Sequence, residues 1–403
     1  MEHRDAGLAP VSRVLVIVAL LLVGVNLRPA ITSVGLVLDG IRSSTGMSAA
    51  SAGVLISLPV ICFGIFSPLA PRLIRWRAPE QVIMLALLGL AAGIGGRVFF
   101  GVPGLFAGTL LVSACISVIM VLVPGIIKNE FPARAGFLMG MYSMALNAGV
   151  ALGSGVSVPI QTLAGGDWRM ALLFWSLPVL VAILVWMPFM RRRSPQPRQQ
   201  RAPLNGLRGS VLAWQVTGYF SFQSALAFCV FGWLPTILID RGLSPLQAGY
   251  VLSVSVLMQF VTGFGLTWMC RNKSDQRAAI VILMSLMLIG VGGCMFAPLG
   301  QVWIWASVLG LGQGGAFSIA MILMVARAPN GVVAVSLSGM VQGVGYLIAG
   351  LGPLIAGVLH DFTHGWNAAA IFFGFLALAA IAAGLGAGRN LQIDAQVERP
   401  ALM

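Results

Sequence analysis

Apolar residues run in long blocks along this chain, and short polar stretches between them carry nearly all of the charge. Blocks at 14–38, 49–70, 81–100, 103–127, 134–161, 170–190, 211–238, 245–269, 278–297, 301–326, 332–359 and 366–388 each approach or exceed the ~20 residues that a helix needs to cross a bilayer. They predict an all-α membrane protein with twelve transmembrane helices. A β-barrel would instead show short segments alternating in polarity. The first block stays apolar up to Arg28 with no small-residue cleavage site, so it reads as a span and not as a cleaved signal.

Composition narrows the class. Of 403 residues, 58% are hydrophobic and 9% charged. A soluble domain carries about 25% charged residues, so a soluble enzyme is excluded. The 50 glycines suit close helix packing in lipid. No G-x-x-x-x-G-K-[ST], H-E-x-x-H or G-x-S-x-G element occurs, which argues against an ATP-driven pump or a membrane hydrolase. No catalytic residues and no cofactor are expected. His360 and His364 have metal-ligand spacing but no obvious third ligand, so no metal site is expected either. Cys62, Cys115, Cys229, Cys270 and Cys294 contain no C-x-x-C pair, so a disulfide framework is not expected.

The formal net charge is +13. The basic excess forms no groove for nucleic acid and reads as a topology signal. With the N-terminus in the cytoplasm, nineteen cations fall on the cytoplasmic side. Four fall outside (Arg42, Arg97, Arg169, Arg241), and Arg28 lies inside a span. That bias supports twelve helices with both termini cytoplasmic. Residues 191–210 hold six arginines, three prolines and no acid, and read as a basic cytoplasmic linker. The division is therefore 1–190 and 211–403, two six-helix bundles joined by that linker.

The halves repeat. Gly46-Met47-Ser48 with Ala52-Gly53 returns as Gly242-Leu243-Ser244 with Ala248-Gly249. Gly140-Met141 and Gly153 return as Gly339-Met340 and Gly352, and Trp168 returns as Trp366. Two pseudo-symmetric six-helix halves describe the major facilitator architecture, whose site lies between the halves near mid-membrane.

Arg28 carries the most chemical information. It lies about 22 Å along the helix from Arg13, at 1.5 Å per residue. An arginine there costs at least ~2.5–3.5 kcal/mol on insertion scales, and no Asp or Glu lies within the spans near it. Its planar fork suits a carboxylate-like anion; the alternative is an arginine bonded to helix carbonyls. Ser143 and Asn147 sit on one face of the fifth helix with Gly140 and Ser154. At the repeat offset they become Gln342 and Tyr346 of the eleventh. These two stripes read equally as cavity lining or as helix packing. Gln223, Gln259 and Gln313 are amides deep in the seventh, eighth and tenth helices, where a wet cavity would satisfy them. Trp233 reads equally as cavity lining or as an interface anchor.

The stretch Asn26-Leu27-Arg28-Pro29-Ala30-Ile31-Thr32-Ser33-Val34-Gly35 resembles the first helix of the cyanate and nitroimidazole transporter family, CynX/NimT. Val123-Pro124-Gly125-Ile126-Ile127-Lys128, Leu212-Ala213-Trp214-Gln215-Val216-Thr217, Gly232-Trp233-Leu234-Pro235-Thr236-Ile237-Leu238 and Leu337-Ser338-Gly339-Met340 through Gly345-Tyr346-Leu347 are similar to it too. The resemblance implies a bacterial inner-membrane major facilitator protein moving a small molecule. Thr32, one turn beyond Arg28, joins the candidate substrate-binding set. One feature departs from many major facilitators. Ala70-Pro71-Arg72-Leu73-Ile74-Arg75-Trp76-Arg77 keeps the arginines of the loop after the second helix but lacks its acid.

The resulting expectation is a secondary or facilitative transporter of a small anionic or polar solute, cyanate-like in class, working by alternating access as a monomer in the lipid bilayer. Protons are a candidate coupling ion, although no intramembrane carboxylate offers a protonation switch. The rivals are an exporter of nitroimidazole-like compounds, which calls for a wider aromatic cavity, and a non-transporting membrane sensor or assembly factor, which calls for a partner-binding domain or tail.

Overall fold

A computed structural model describes residues 10–47, 49–191, 207–269 and 275–393. The described residues form helices and turns, with no strand among them. The first span is three consecutive pieces, α1 (Pro10–Leu27), α2 (Pro29–Leu36) and α3 (Leu38–Thr45). There follow α4 (Ala49–Phe66), a short α5 (Ala70–Leu73), α6 (Pro79–Phe99), α7 (Gly101–Glu130) and α8 (Ala135–Leu163). The sixth span is split into α9 (Trp168–Phe174) and α10 (Ser176–Trp186). Pro178 explains the split, because its ring lacks the N–H that the Phe174 carbonyl would accept. The second half is α11 (Val211–Asp240), α12 (Pro245–Met269), α13 (Arg277–Phe296), α14 (Val302–Ala326), α15 (Gly331–Thr363) and α16 (Asn367–Ala387).

Among the described residues, ten stretches are long and apolar enough to span a membrane, and two shorter apolar helices, Leu58–Leu73 and Gln247–Thr262, occupy the second and eighth places. The twelve expected spans are thus all accounted for by helix. Most of the expected linker 191–210 lies outside the described residues.

The repeat seen in the sequence recurs as geometry. Gly46 and Gly242 both adopt positive φ, 66° and 104°, at the turn that ends the first helix of each half. The Trp168 indole donates to Ser44 Oγ at 2.7 Å, and the Trp366 indole donates to Asp240 Oδ2 at 2.9 Å. Ser44 and Asp240 are separated by the same offset as the two glycines, so each tryptophan ties the last loop of its half to the end of the first helix. Gly153 of α8 packs on Pro29 and Thr32, while Gly352 of α15 packs on Ala225 and Cys229 of α11. Small residues of this kind let helix backbones meet where lipid supplies no hydrophobic drive.

The halves touch crosswise. α8 packs on α12 and α14, and α15 packs on α4 and α7. At the end bearing Lys128 and Arg327 the seam is tight. A β-carbon on Gly125 would run into Val335, and one on Gly339 would lie 2.9 Å from Pro71. The Gly331 N–H donates to Asn129 Oδ1 at 2.9 Å. Glycine contacts and this hydrogen bond hold the seam where the acid of the second-helix loop is missing.

One charge lies elsewhere than the sequence suggests. The charge pattern places Arg97 in an outward connection, yet it forms the last turn of α6 and is buried. α6 and α7 meet through an abrupt turn at Gly101, φ 61°, which leaves no loop to carry it.

Candidate functional site

Arg28 sits at the break between α1 and α2. Pro29 has no N–H to continue the helix, so the ladder restarts there, and the Arg28 carbonyl accepts from Ile31 N and Thr32 N, both at 3.0 Å. α8 is drawn onto this break. A β-carbon on Gly149 would collide with the Val25 carbonyl, and one on Gly153 with Thr32 Oγ1. That approach sets Asn147 and Val150 of α8 beside Arg28.

Together they line one side of a cavity of about 90 Å³. The other side comes from the second half. α11 supplies Gln223, Ser224, Ala227, Phe228 and Phe231, α12 supplies Val256 and Gln259, α14 supplies Gln313 and Phe317, and α15 supplies Tyr346. Arg28 is the sole cation among these lining residues, and no carboxylate is among them. Its guanidinium lies 5.8 Å from the centre of the Phe317 ring, close enough for a cation–π contact. Tyr346 is wedged between Phe63 and Phe220, each with ring centres 5.1 Å away. Packing therefore fixes its phenol.

The polar lining has spare capacity. Asn147 Nδ2, Gln259 Nε2, Gln223 Oε1 and Gln313 Oε1 are buried without a hydrogen-bond partner, and the Tyr346 hydroxyl faces the Arg28 guanidinium. Buried polar groups are normally paired, so these point to a polar occupant of the cavity. Gln223 is held by its other end, its Nε2 donating to Ser224 Oγ at 2.7 Å.

Six of the ten candidate residues thus meet at one cavity: Arg28, Asn147, Gln223, Gln259, Gln313 and Tyr346. Four do not. The Thr32 hydroxyl donates to the Arg28 carbonyl at 3.2 Å. Ser143 bonds back to the Met139 carbonyl at 3.1 Å. Gln342 crosses the seam to the Met120 carbonyl at 3.2 Å and bonds Ser338 at 2.8 Å. Trp233 donates to the Pro353 carbonyl at 2.8 Å and packs on Trp366. Each is engaged by the fold or turned into a helix interface, Gln342 through its Nε2 alone, since its Oε1 is buried without a partner. The pairs split consistently, since Asn147 and Tyr346 face the cavity while their repeat neighbours Ser143 and Gln342 face packing.

The three phenylalanines of the lining carry no sequence signal that sets them apart from other apolar residues of a span. Tyr142 lies near the site as well. That ring is buried against Gly24, one turn before Arg28, and its hydroxyl has no partner. A buried phenol in a span was a legible signal.

The description of the Major Facilitator Superfamily matches residues 18–350. The chain belongs to that superfamily. A curated relative, the 2-nitroimidazole transporter of Escherichia coli, is 33% identical over 96% of this chain and 99% of its own. The cyanate transport protein CynX of Escherichia coli is 29% identical over 86% of this chain and 90% of its own. The solved structure of the Escherichia coli fucose:proton symporter FucP superposes with TM-score 0.72 over 94% of this chain and 100% of its own, at 15% identity. This major facilitator protein is accordingly a membrane solute transporter and not an enzyme.

Proposed function

We propose that this transporter moves a small planar solute with an anionic or strongly electronegative group, bound between the halves at Arg28. The observation that carries this reading is the cavity's charge: one guanidinium, surrounding amides and a phenol, and no carboxylate. A fork of N–H donors grips a two-oxygen group bidentately. Asn147, Gln223, Gln259, Gln313 and Tyr346 then supply neutral hydrogen bonds. Alternating access follows from the rocking of 1–190 against 211–403 around a fixed site. The linker and both termini face the cytoplasm of a bacterial inner membrane, and the protein works as a monomer. With no carboxylate in the cavity, proton coupling runs through a proton carried by the solute, or the protein exchanges one solute for another.

A second reading has specific support. Phe228, Phe231 and Phe317 line the cavity, which gives it the aromatic wall that an exporter of nitroimidazole-like compounds calls for. A nitro group presents two coplanar oxygens much as a carboxylate does, and the ring behind it would stack on these phenylalanines. A relative is named as a 2-nitroimidazole transporter. Uptake into proteoliposomes separates the two. Cyanate, benzoate and 2-nitroimidazole are tested as labelled solutes and as mutual competitors. Saturable uptake of an anion, lost in Arg28→Gln, supports the first reading. Uptake of 2-nitroimidazole alone, with neither anion competing, replaces it with the second. Uptake of either solute unaffected by Arg28→Gln removes Arg28 from the site.

A further inference from the structure

The fold removes Arg97 from water, and the proposed solute site does not use it. It is 1% exposed at the end of α6. One arm, Nη1, donates to the Ala30 carbonyl of α2. Nε and Nη2 have no acceptor, and no carboxylate among the described residues forms an ion pair with it. A buried charge is normally neutralised or paired, because its desolvation is expensive.

Two hydroxyls share the helix register of Arg97. Two apolar clusters meet within the first half, the larger of them continuing into the second. One includes Ala30, Ile94 and Val112, and the other includes Val34, Val98 and Leu105. Ser33 lies between Ala30 and Val34 on α2. Arg97 lies between Ile94 and Val98 on α6, and Thr109 lies between Leu105 and Val112 on α7. The three polar residues therefore form one layer between two apolar ones. Ser33 and Thr109 are each 1% exposed, and neither hydroxyl has a partner. Gly93 and Gly108 bring α6 and α7 into backbone contact beside this layer, which shuts out bulk solvent.

We propose that Arg97, Ser33 and Thr109 bind a small inorganic anion of chloride size, at a site separate from the central cavity. Every unpartnered group here is able to donate, and the layer carries one unbalanced positive charge. Water would satisfy some of the donors and leave the charge, whereas an anion satisfies both. The anion fastens α2, which begins immediately after Arg28, to α6 and α7.

The test is a titration of purified full-length protein with chloride or bromide, replacing gluconate at constant ionic strength, read as melting temperature. The melting temperature is expected to rise saturably with halide in the unmodified protein and equally in Arg28→Gln, and to be flat in Arg97→Gln. Thr109→Val should raise the half-saturating halide concentration at least about fivefold, equivalent to about 1 kcal/mol. Crystals grown in bromide should show an anomalous peak beside Arg97, a readout that needs no variant and decides the matter if Arg97→Gln does not fold. A halide-independent melting temperature, an unchanged response in Arg97→Gln, or bromide crystals without that peak would overturn the proposal. Loss of the response in Arg28→Gln alone would move the anion to the central cavity and overturn it equally.

Discussion

Arg28 and Arg327 are both arginines at helix ends, and their surroundings differ in one decisive respect. Arg327, 2% exposed after α14, spends its guanidinium on the protein. Nε donates to the Ala387 carbonyl at 2.8 Å, and Nη2 donates to the Gly388 carbonyl at 3.1 Å and to Gln276 Oε1. Its own carbonyl accepts from Ile393 N at 2.9 Å. Burial lowers its pKa to about 10, so it stays charged at neutral pH. Arg28 instead faces the Phe317 ring and a cavity. An arginine whose donors are consumed by carbonyls staples helices. One whose fork opens on a cavity has binding capacity left over. Burial and acceptors separate the two together: Arg327 is buried among carbonyls, whereas Arg28 is half-buried at the cavity wall.

The contrast is tested most strongly at Arg28. Arg28→Gln should weaken solute binding by at least about thirtyfold, the lower end of the ~2–5 kcal/mol lost when a buried charge pair loses one member. The melting temperature should hardly move. Arg28→Lys keeps the charge and loses the planar fork, so its binding should fall between the two. Near-normal affinity in a destabilised Arg28→Gln protein would make Arg28 another staple. Arg327→Met should do the reverse. Hydrogen bonds from a charged group contribute about 1.5–3 kcal/mol each, and at least three are lost. Stability should therefore drop by at least about 3 kcal/mol, while the folded fraction binds solute with unchanged Kd. Denaturant unfolding in detergent, with binding measured on the same samples, checks both halves of that statement.

Gly149→Val sharpens the comparison from the packing side. Its added carbons would push α8 off the Val25 carbonyl and off the break that presents Arg28. Overpacking of this kind typically costs about 1–3 kcal/mol. Affinity should fall about tenfold as Asn147 separates from Arg28, with a modest loss of stability. Gly155, whose β-carbon would meet nothing within 4 Å, is the control, and Gly155→Ala should change neither.

The twelve helices and the internal repeat were legible because lipid demands long apolar runs and because duplicated turns kept their glycines and tryptophans. Arg28 and the cavity amides were legible for a related reason, since polar groups in a span stand out against an apolar background. The fine sorting was not legible. Helical periodicity gives a face but not the neighbour that face meets, so Ser143 and Asn147 looked alike. Phe228 and Phe317 lie among many apolar residues whose partners only the fold reveals. Arg97 escaped because an arginine near the end of an apolar run is indistinguishable from a loop charge until the tight turn at Gly101 is seen.

The smallest effects are expected at the two candidates that are satisfied locally. The Ser143 hydroxyl bonds only the carbonyl one turn back, and Thr32 does the same toward Arg28. Bonds of this kind add little to a helix, because the carbonyl is already engaged in the ladder. Ser143→Ala should change solute affinity less than twofold. Thr32→Val, nearly isosteric, should stay within about 1 kcal/mol in stability and about threefold in affinity. Equilibrium binding on purified variants is sensitive enough to tell these values from the thirtyfold loss at Arg28. A loss above tenfold in Ser143→Ala would carry a specific meaning. The fifth helix would have to rotate during transport so that Ser143, which here faces the packing, turns toward the solute. Asn147 and Ser143 would then share the site in sequence along the transport cycle, and the distinction between cavity-facing and packing-facing residues would hold for one state of the protein only.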